Sequence, residues 1–550
     1  MKSLEILVIG GVAAGASFAA RARRLNEAAN ITVIERGPDV SFANCGLPYH
    51  IGGEIPTRDV LAVQTPQSLK ALLNLDVRTR CEVTTIDRAR KRVLVRDLDS
   101  RQGDWLSYDK LMLAPGAAPL VPPMAGADDP RVHTLRNLQD MDRIIAAAAV
   151  GKRAVVVGAG FIGLEMAEQL HRKGLCVHLV ELQAQVLPQL DPKMTLLLES
   201  ELRRNGVGVH LGERLTQFNV VDNSLQACLA SGGILEADFV VMSIGVRPET
   251  TLAREAGLKL GQRGHIVVDG YMRTSDPDIY AAGDAIETMD RVMKDPTAVP
   301  LGGPANRQGR VAADHLFMGD QARPYPGSIG TAIVRAFEVA AGVTGWTEQR
   351  LRTAEIEYGT VTVNDHHHAT YFPGAKPLTL KICWAADTGR LLGAQATGWE
   401  GVDKRLDVLA TAIAARMTVE DLCHLELAYA PPFGSAKDIV NLAGFSATNL
   451  LDGLVRREGT LPDDPSVQLV DVRGRALAEA YPIEGAVNIP FATLRGNLDK
   501  LDRDRPVVTL CTAGKMSYFA ARVLAQNGFR VSSFSGGIKG NIDQLMPAKS

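Results

Sequence analysis

Residues 4–35 read LEILVIGGVAAGASFAARARRLNEAANITVIE, and residues 153–181 read RAVVVGAGFIGLEMAEQLHRKGLCVHLVE. Each opens on a short apolar run, passes a Gly-rich turn, continues with apolar residues at helical spacing, and closes a second apolar run with glutamate. That order predicts a βαβ unit whose strands are buried on both faces of a parallel sheet. Two such units predict two doubly wound α/β domains, each with its own nucleotide.

The turns carry the chemistry. Gly158, Gly160 and Gly163 form a full GxGxxG, with Phe161 and Ile162 opening the helix. The first glycine makes a tight turn, the second lets backbone approach a pyrophosphate, and the third lets helix and strand pack closely. Unpaired N–H groups at the helix start favour the pyrophosphate. Glu181 closes the second strand, where a carboxylate accepts from a ribose 2′-hydroxyl and repels a 2′-phosphate, and Leu182, Gln183 and Ala184 supply no cation. NADH is therefore expected, with NADPH as the alternative. The first turn is Gly10-Gly11-Val12-Ala13-Ala14-Gly15, followed by Glu35. Val12 takes the slot of the second glycine, so this fingerprint is imperfect, but the two copies reinforce each other.

Composition narrows the class. The 550 residues carry 60 Lys and Arg against 62 Asp and Glu, a net charge of −2, so no basic footprint for nucleic acid is expected. Hydrophobic residues make 46% and charged residues 22%, which excludes a disordered or collagen-like chain. No apolar run is long enough to span a membrane. The seven cysteines include no CxxC pair, which argues against a disulfide framework or zinc site and for the reducing cytoplasm.

Further along, YDKLMLAPGAAP (108–119) and ADFVVMSIGVRPE (237–249) each read as a strand running into a turn, and TSDPDIYAAGDA (274–285) follows. An aspartate after glycine, just past a buried strand, can accept from the ribityl hydroxyls of a flavin, which makes Gly283 and Asp284 candidates. Residues 330–445 change to short β-like runs and a helical stretch, and 446–466 is rich in Gly, Pro and Asp, as linkers are. VQLVDVR and PVVTLC then open a small α/β domain.

Over residues 1–445 the chain resembles the FAD- and NAD(P)-dependent pyridine nucleotide–disulfide oxidoreductases. The resemblance implies an FAD-binding domain at 1–150 and 271–325, an NAD-binding domain at 151–270 and a dimerisation domain at 326–446 that forms a homodimer. A linker at 447–466 and a C-terminal domain at 467–550 follow. It adds Arg36, Asn44, Pro115, Gly116 and Gly245 to the cofactor contacts.

Two-cysteine members of that family carry CxxxxC after the first βαβ unit. Here SFANCGLPY (41–49) holds one cysteine, Cys45, and position 50 is His50. A single thiol must form a mixed disulfide, a persulfide or a sulfenic acid. The motif resembles the coenzyme A–disulfide reductases and their persulfide-reducing relatives. A helix start after Gly46-Leu47-Pro48 and a flavin contact are expected to favour the reactive thiolate. The resemblance implies that Tyr371 and Tyr429 reach the cysteine of the other subunit and donate to the leaving thiolate. It also places Arg21, Arg24, Ser41, Asn44 and Lys437 against coenzyme A, whose phosphates need cations; Asn306 and Arg310 in PANRQGR are further candidates. Cys81, Cys176, Cys228, Cys383 and Cys423 read as buried structural residues. His366-His367-His368 reads as an exposed polar loop, because consecutive residues on an extended chain face alternate sides; no metal is expected.

Cys511-Thr-Ala-Gly-Lys515-Met-Ser517 follows a strand and precedes a helix. Backbone N–H groups in such a loop stabilise a thiolate or persulfide. With LVDVR and EGAVNIP, residues 467–546 resemble a rhodanese domain, with Cys511 as sulfur carrier. Met516 stands where many such loops have arginine, which disfavours thiosulfate and leaves persulfide handling. The expected activity is NADH-driven reduction of coenzyme A persulfide, polysulfide or coenzyme A disulfide. An NADH oxidase or peroxidase, and a sulfurtransferase or docking protein with a regulatory flavin module, are the alternatives.

Overall fold

The computed structural model describes residues 3–221 and 224–538. The chain divides into two compact units, Met1–Val186 with Leu202–Gly330, and Leu187–Glu201 with Thr331–Ser550.

The first unit contains both expected βαβ units. Strand Glu5–Ile9 pairs in parallel with Asn30–Ile34 on one side and Lys110–Leu113 on the other. Asp76–Arg78 and Ile279–Ala281 close the two edges of this five-stranded sheet. A second parallel sheet runs Gly208–Leu211, Cys176–Glu181, Arg153–Val157, Phe239–Met242, Val132–Thr134. The central strands are buried almost throughout, which is why they read as unbroken apolar runs. Both Gly-rich turns leave the carboxyl end of a central strand, where open α/β sheets bind ligands. Helix Ala13–Leu25 crosses helix Gly302–Met318 closely: a Cβ on Gly309 would stand 2.2 Å from the Ala14 carbonyl oxygen.

The second unit holds an antiparallel sheet in the order Ala332–Ala336, Val339–Gly345, Leu391–Gly398, Pro377–Ala385, Tyr358–His366. Helices Val402–Ala414 and Ile439–Leu451 cover it. Asp191 is buried in this unit, its carboxylate 2.8 Å from the Lys381 ammonium, which also pairs with Glu348. Burial pushes the Asp191 carboxyl upward, and Lys381, with hydrogen bonds from the Gln349 N–H and the Gln395 amide, more than offsets this and holds it below its ordinary value. Removing the lysine would strand two carboxylates, a loss of about 3–5 kcal/mol.

The C-terminal sheet corrects one boundary. Its order is Arg456–Glu458, Val531–Phe534, Val507–Leu510, Gln468–Asp471, Ala486–Asn488, all parallel. Residues 447–466, read as a linker, therefore supply an edge strand, and helix Ile439–Leu451 runs through the expected boundary. The Gly and Pro content of the stretch masked a strand only three residues long. The last part of the expected C-terminal domain, residues 539–550, lies outside the described residues.

Candidate active site

Both Gly-rich turns are gripped by the acid that ends the next strand. Glu35 accepts from the N–H of Gly11 at 2.9 Å and of Gly37 at 2.8 Å. Glu181 accepts from Ala159 at 2.7 Å and Gln183 at 2.9 Å. Gly10 and Gly158 have φ of +94° and +98°, a conformation that favours glycine. Cβ atoms on Gly15 and Gly163 would fall 1.9 and 1.8 Å from the Gly10 and Gly158 carbonyl oxygens. Val12 and Gly160, the middle positions, have ordinary φ of −99° and −75°. The middle slot thus asks for nearness to a ligand, not for a special backbone, so valine keeps the turn intact. Ala13 and Ala14, like Phe161 and Ile162, form the first turns of the two helices.

These residues fit two dinucleotides. Past strand Ile279–Ala281, the Gly283 N–H donates to Gln308 at 2.9 Å. Among the described residues none donates a hydrogen bond to the Asp284 carboxylate, which leaves its oxygens for ligand hydroxyls. Loss of hydration pushes the Asp284 carboxyl upward, partly countered by Arg136. Arg136 bonds the Pro115 carbonyl at 3.1 Å, and Asn44 donates to the Arg136 carbonyl at 3.3 Å. The Gly116 and Gly245 carbonyls accept from Glu249 and Leu120. Arg36 pairs with Glu82 at 3.5 Å.

Cys45 lies in a 3₁₀ turn, Asn44–Gly46, which feeds helix Leu47–Gly52 with Pro48 in its first turn. A Cβ on Gly46 would meet Leu61 at 2.5 Å, so the turn is tight. The helix packs on Phe161–Arg172, where Gly52 makes room for Gln169 and the Tyr49 hydroxyl donates to Glu165 at 3.2 Å. Cys45 is exposed on its unit. Even so, lost hydration first, then Glu165 and Asp284, push its thiol above the ordinary value. The expected lowering at the helix start is thus not found. Sequence reading missed Glu165, since nothing in the spacing of residues 45 and 165 announces their proximity.

The expected coenzyme A contacts divide. Ser41, in the left-handed region at φ 47°, donates its N–H to the Gly11 carbonyl. Arg24 is exposed. Arg21 contacts Asp314 at 2.5 Å, Arg310 reaches the same carboxylate at 3.7 Å, and Asn306 accepts from Ser17 at 2.8 Å. Arg23, by contrast, is buried and bonds carbonyls of Leu73 and Asn74, a structural role.

In the second unit the Tyr371 and Tyr429 hydroxyls are 2.8 Å apart, with both residues exposed. The hydrogen bond shared with Tyr429 is the main reason the Tyr371 phenol is held above its ordinary pKa. Buried Arg405 ties their loops together: its guanidinium bonds the His367 carbonyl at 2.7 Å and the Asp438 carboxylate at 2.6 Å. Asp438 caps helix Ile439–Leu451, and exposed Lys437 precedes it. Arg405 shares the apolar helix face of Val402, Leu406 and Leu409, a signal that the sequence reading passed over. His367 pairs with Glu400, and His368 is buried against Phe372. The triplet is thus not the exposed loop it was read as: His366 ends strand Tyr358–His366, His366 and His367 are half-buried, and His368 is buried. Among the described residues, no group of three or more potential ligands could hold a metal.

Cys511 is buried at the end of strand Val507–Leu510. Its sulfur receives the Gly514 N–H at 3.1 Å and lies 3.5 Å from the Ser517 hydroxyl, which accepts from Ser533 at 3.1 Å. The remaining cysteines are free. Only Cys383 of those five is buried, its thiol pushed up to about 12 by burial. Cys81, Cys228 and Cys423 are half-buried, and Cys176 is exposed because it starts its strand at the sheet rim, a correction to the buried reading.

Residues 4–302 match the pyridine nucleotide-disulphide oxidoreductase family, 331–439 its dimerisation domain, and 459–542 the rhodanese-like domain. A coenzyme A disulfide reductase of Staphylococcus haemolyticus is 35% identical over 449 residues, covering 81% of this chain and 100% of that protein. The crystal structure of reduced Bacillus anthracis CoADR-RHD is 40% identical with a TM-score of 0.95, covering 100% of this chain and 99% of that one. An NAD-dependent persulfide reductase from A. fulgidus is 39% identical with a TM-score of 0.92, covering 98% and 100%. With two clasped dinucleotide turns, a lone cysteine turn and a dimerisation sheet in order, the chain belongs to the pyridine nucleotide-disulphide oxidoreductases, FAD-dependent enzymes, and carries a C-terminal rhodanese-like domain.

Proposed function

We propose that this enzyme uses NADH to reduce coenzyme A persulfide and polysulfide, and also coenzyme A disulfide, through Cys45, with Cys511 carrying sulfur. The observation that carries the reading is the exposed Cys45 turn, which holds one thiol, so the second sulfur of any redox bond must arrive on a substrate. The names of the relatives support the substrate class.

The overall reaction is NADH + H⁺ + R–S–SH → NAD⁺ + R–SH + H₂S. The Cys45 thiolate attacks the outer sulfur; the bond between the two substrate sulfurs breaks, and R–S⁻ leaves and takes a proton. Two electrons then split the new bond at Cys45, restoring its thiolate and releasing hydrogen sulfide. Bound FAD would supply the two-electron relay between NADH and that sulfur. The Gly10–Gly15 turn, Glu35 and Asp284 would hold FAD; the Gly158–Gly163 turn and Glu181 would hold NADH. In a homodimer, the tyrosine pair of one copy supplies the proton to the thiolate leaving in the other. Arg21, Arg24, Arg310 and Lys437 are the cations for the phosphates of coenzyme A, with Ser41, Asn44 and Asn306 as polar contacts. Tethering the sulfur carrier keeps its effective concentration high.

A steady-state acceptor panel tests this. Coenzyme A persulfide or polysulfide should give the highest kcat/KM, with NADH favoured over NADPH. Faster coupled reduction of oxygen to water would replace the reading with an oxidase. A chain ending at residue 450 should still reduce free coenzyme A persulfide; loss of that activity alone would put the chemistry in the C-terminal domain.

A further inference from the structure

We infer that Asn364, on the dimerisation sheet, is a positioning residue for the anion held at Cys511. The inference rests on the reading of Cys511 as a sulfur carrier. Asn364 lies on strand Tyr358–His366, outside the rhodanese-like domain, yet its side-chain N–H₂ donates to the Ala513 carbonyl at 3.4 Å and the Gly536 carbonyl at 3.1 Å. Thr379, its register partner on the next strand, donates its hydroxyl to the Asn364 side-chain oxygen at 2.8 Å. That bond fixes which end of the amide faces the loop.

The two carbonyls lie on the two walls of the sulfur loop. Ala513 is two residues from Cys511, and Gly536 sits in the turn that closes over it. The Ile538 N–H bonds the Cys511 carbonyl at 3.0 Å, and a Cβ on Gly537 would come within 2.7 Å of that same oxygen. The Ala513–Gly514 peptide matters most. Its carbonyl accepts from Asn364, and its N–H is the one that donates to the Cys511 sulfur at 3.1 Å. A trans peptide is planar, with C=O and N–H pointing opposite ways, so holding the carbonyl aims the N–H. The two bonds in series also polarise each other. Gly514 has φ of +91° and no Cβ to fix that plane sterically, so the asparagine does what local sterics cannot.

The test is the pH profile of Cys511 alkylation in the full-length protein, read by mass spectrometry of the Cys511 peptide. Asn364→Ala removes the aim and should move the profile to higher pH, with alkylation below the midpoint slowed roughly fivefold, the worth of one net hydrogen bond. Asn364→Asp should shift it further, by setting a carboxylate against two carbonyls. Thr379→Val, which frees the amide without removing it, should give a smaller shift in the same direction and serves if the Asn364 variants fail to fold. NADH-driven turnover of free coenzyme A persulfide should be unchanged. Profiles identical to wild type in the folded variants would overturn the inference. A wild-type protein whose Cys511 accepts no sulfur from inorganic polysulfide would instead overturn the carrier reading, and the alkylation shift would remain a separate result.

Discussion

Cys45 and Cys511 are both lone thiols beside a helix start, and their surroundings differ in kind. Cys45 is exposed, faces the charges of Glu165 and Asp284, and has its thiol pushed up by lost hydration and by those carboxylates. Cys511 is buried, and its partners are neutral: the Gly514 N–H donates to its sulfur, and its thiol donates to the Ser517 hydroxyl. Negative charge around a sulfur disfavours its anion; a neutral N–H donor favours it. The first setting suits a bond made and broken every turnover, the second a sulfur held until called for.

The largest effect should come from Cys45→Ser. It should lower NADH-driven reduction of every sulfur acceptor by about a thousandfold or more while FAD still binds, as measured by steady-state rates and flavin absorbance. Retained turnover would end the distinction between the two sites. Cys511→Ser should abolish labelling of that site by polysulfide and leave reduction of free coenzyme A persulfide within about twofold, since no bond to the reacting sulfur is lost. Ser517→Ala leaves the Gly514 carbonyl without its donor and the Ser533 hydroxyl without its acceptor, which loosens the sulfur loop, so Cys511 should lose its added sulfur roughly fivefold faster, by intact-mass time courses. Glu165→Gln removes a charge and keeps an acceptor for Tyr49. Because Glu165 raises the Cys45 thiol, the variant should form thiolate at lower pH, and the Cys45 alkylation profile should move in that direction.

Much of this was legible in the sequence where one residue meets a local steric demand. Gly10, Gly15, Gly158 and Gly163 could be read because a Cβ at each would collide with backbone. Val12 looked like a defect because the fingerprint gives all three glycines equal weight, whereas only two are conformationally required. The Cys45 turn was legible from its motif. Glu165 and Asn364 were not, because each acts across long stretches of chain on a group that its own neighbours in sequence do not reveal; Arg405 offered only its place on an apolar helix face. Strand Arg456–Glu458 was hidden for a different reason: three residues give no periodicity, and its flanking glycines and prolines imitate a tether.

That small strand has a consequence for how the fusion can be taken apart. It lies alongside Val531–Phe534, so the outermost ribbon of the C-terminal sheet comes from chain that precedes every other part of the domain. The Leu454 carbonyl is held by Arg522, and Gly459 by Lys193, on either side of it. A graft that begins at residue 467 would carry a raw β edge into its new host and invite self-association. One that begins ahead of Leu454 would travel with its own hem.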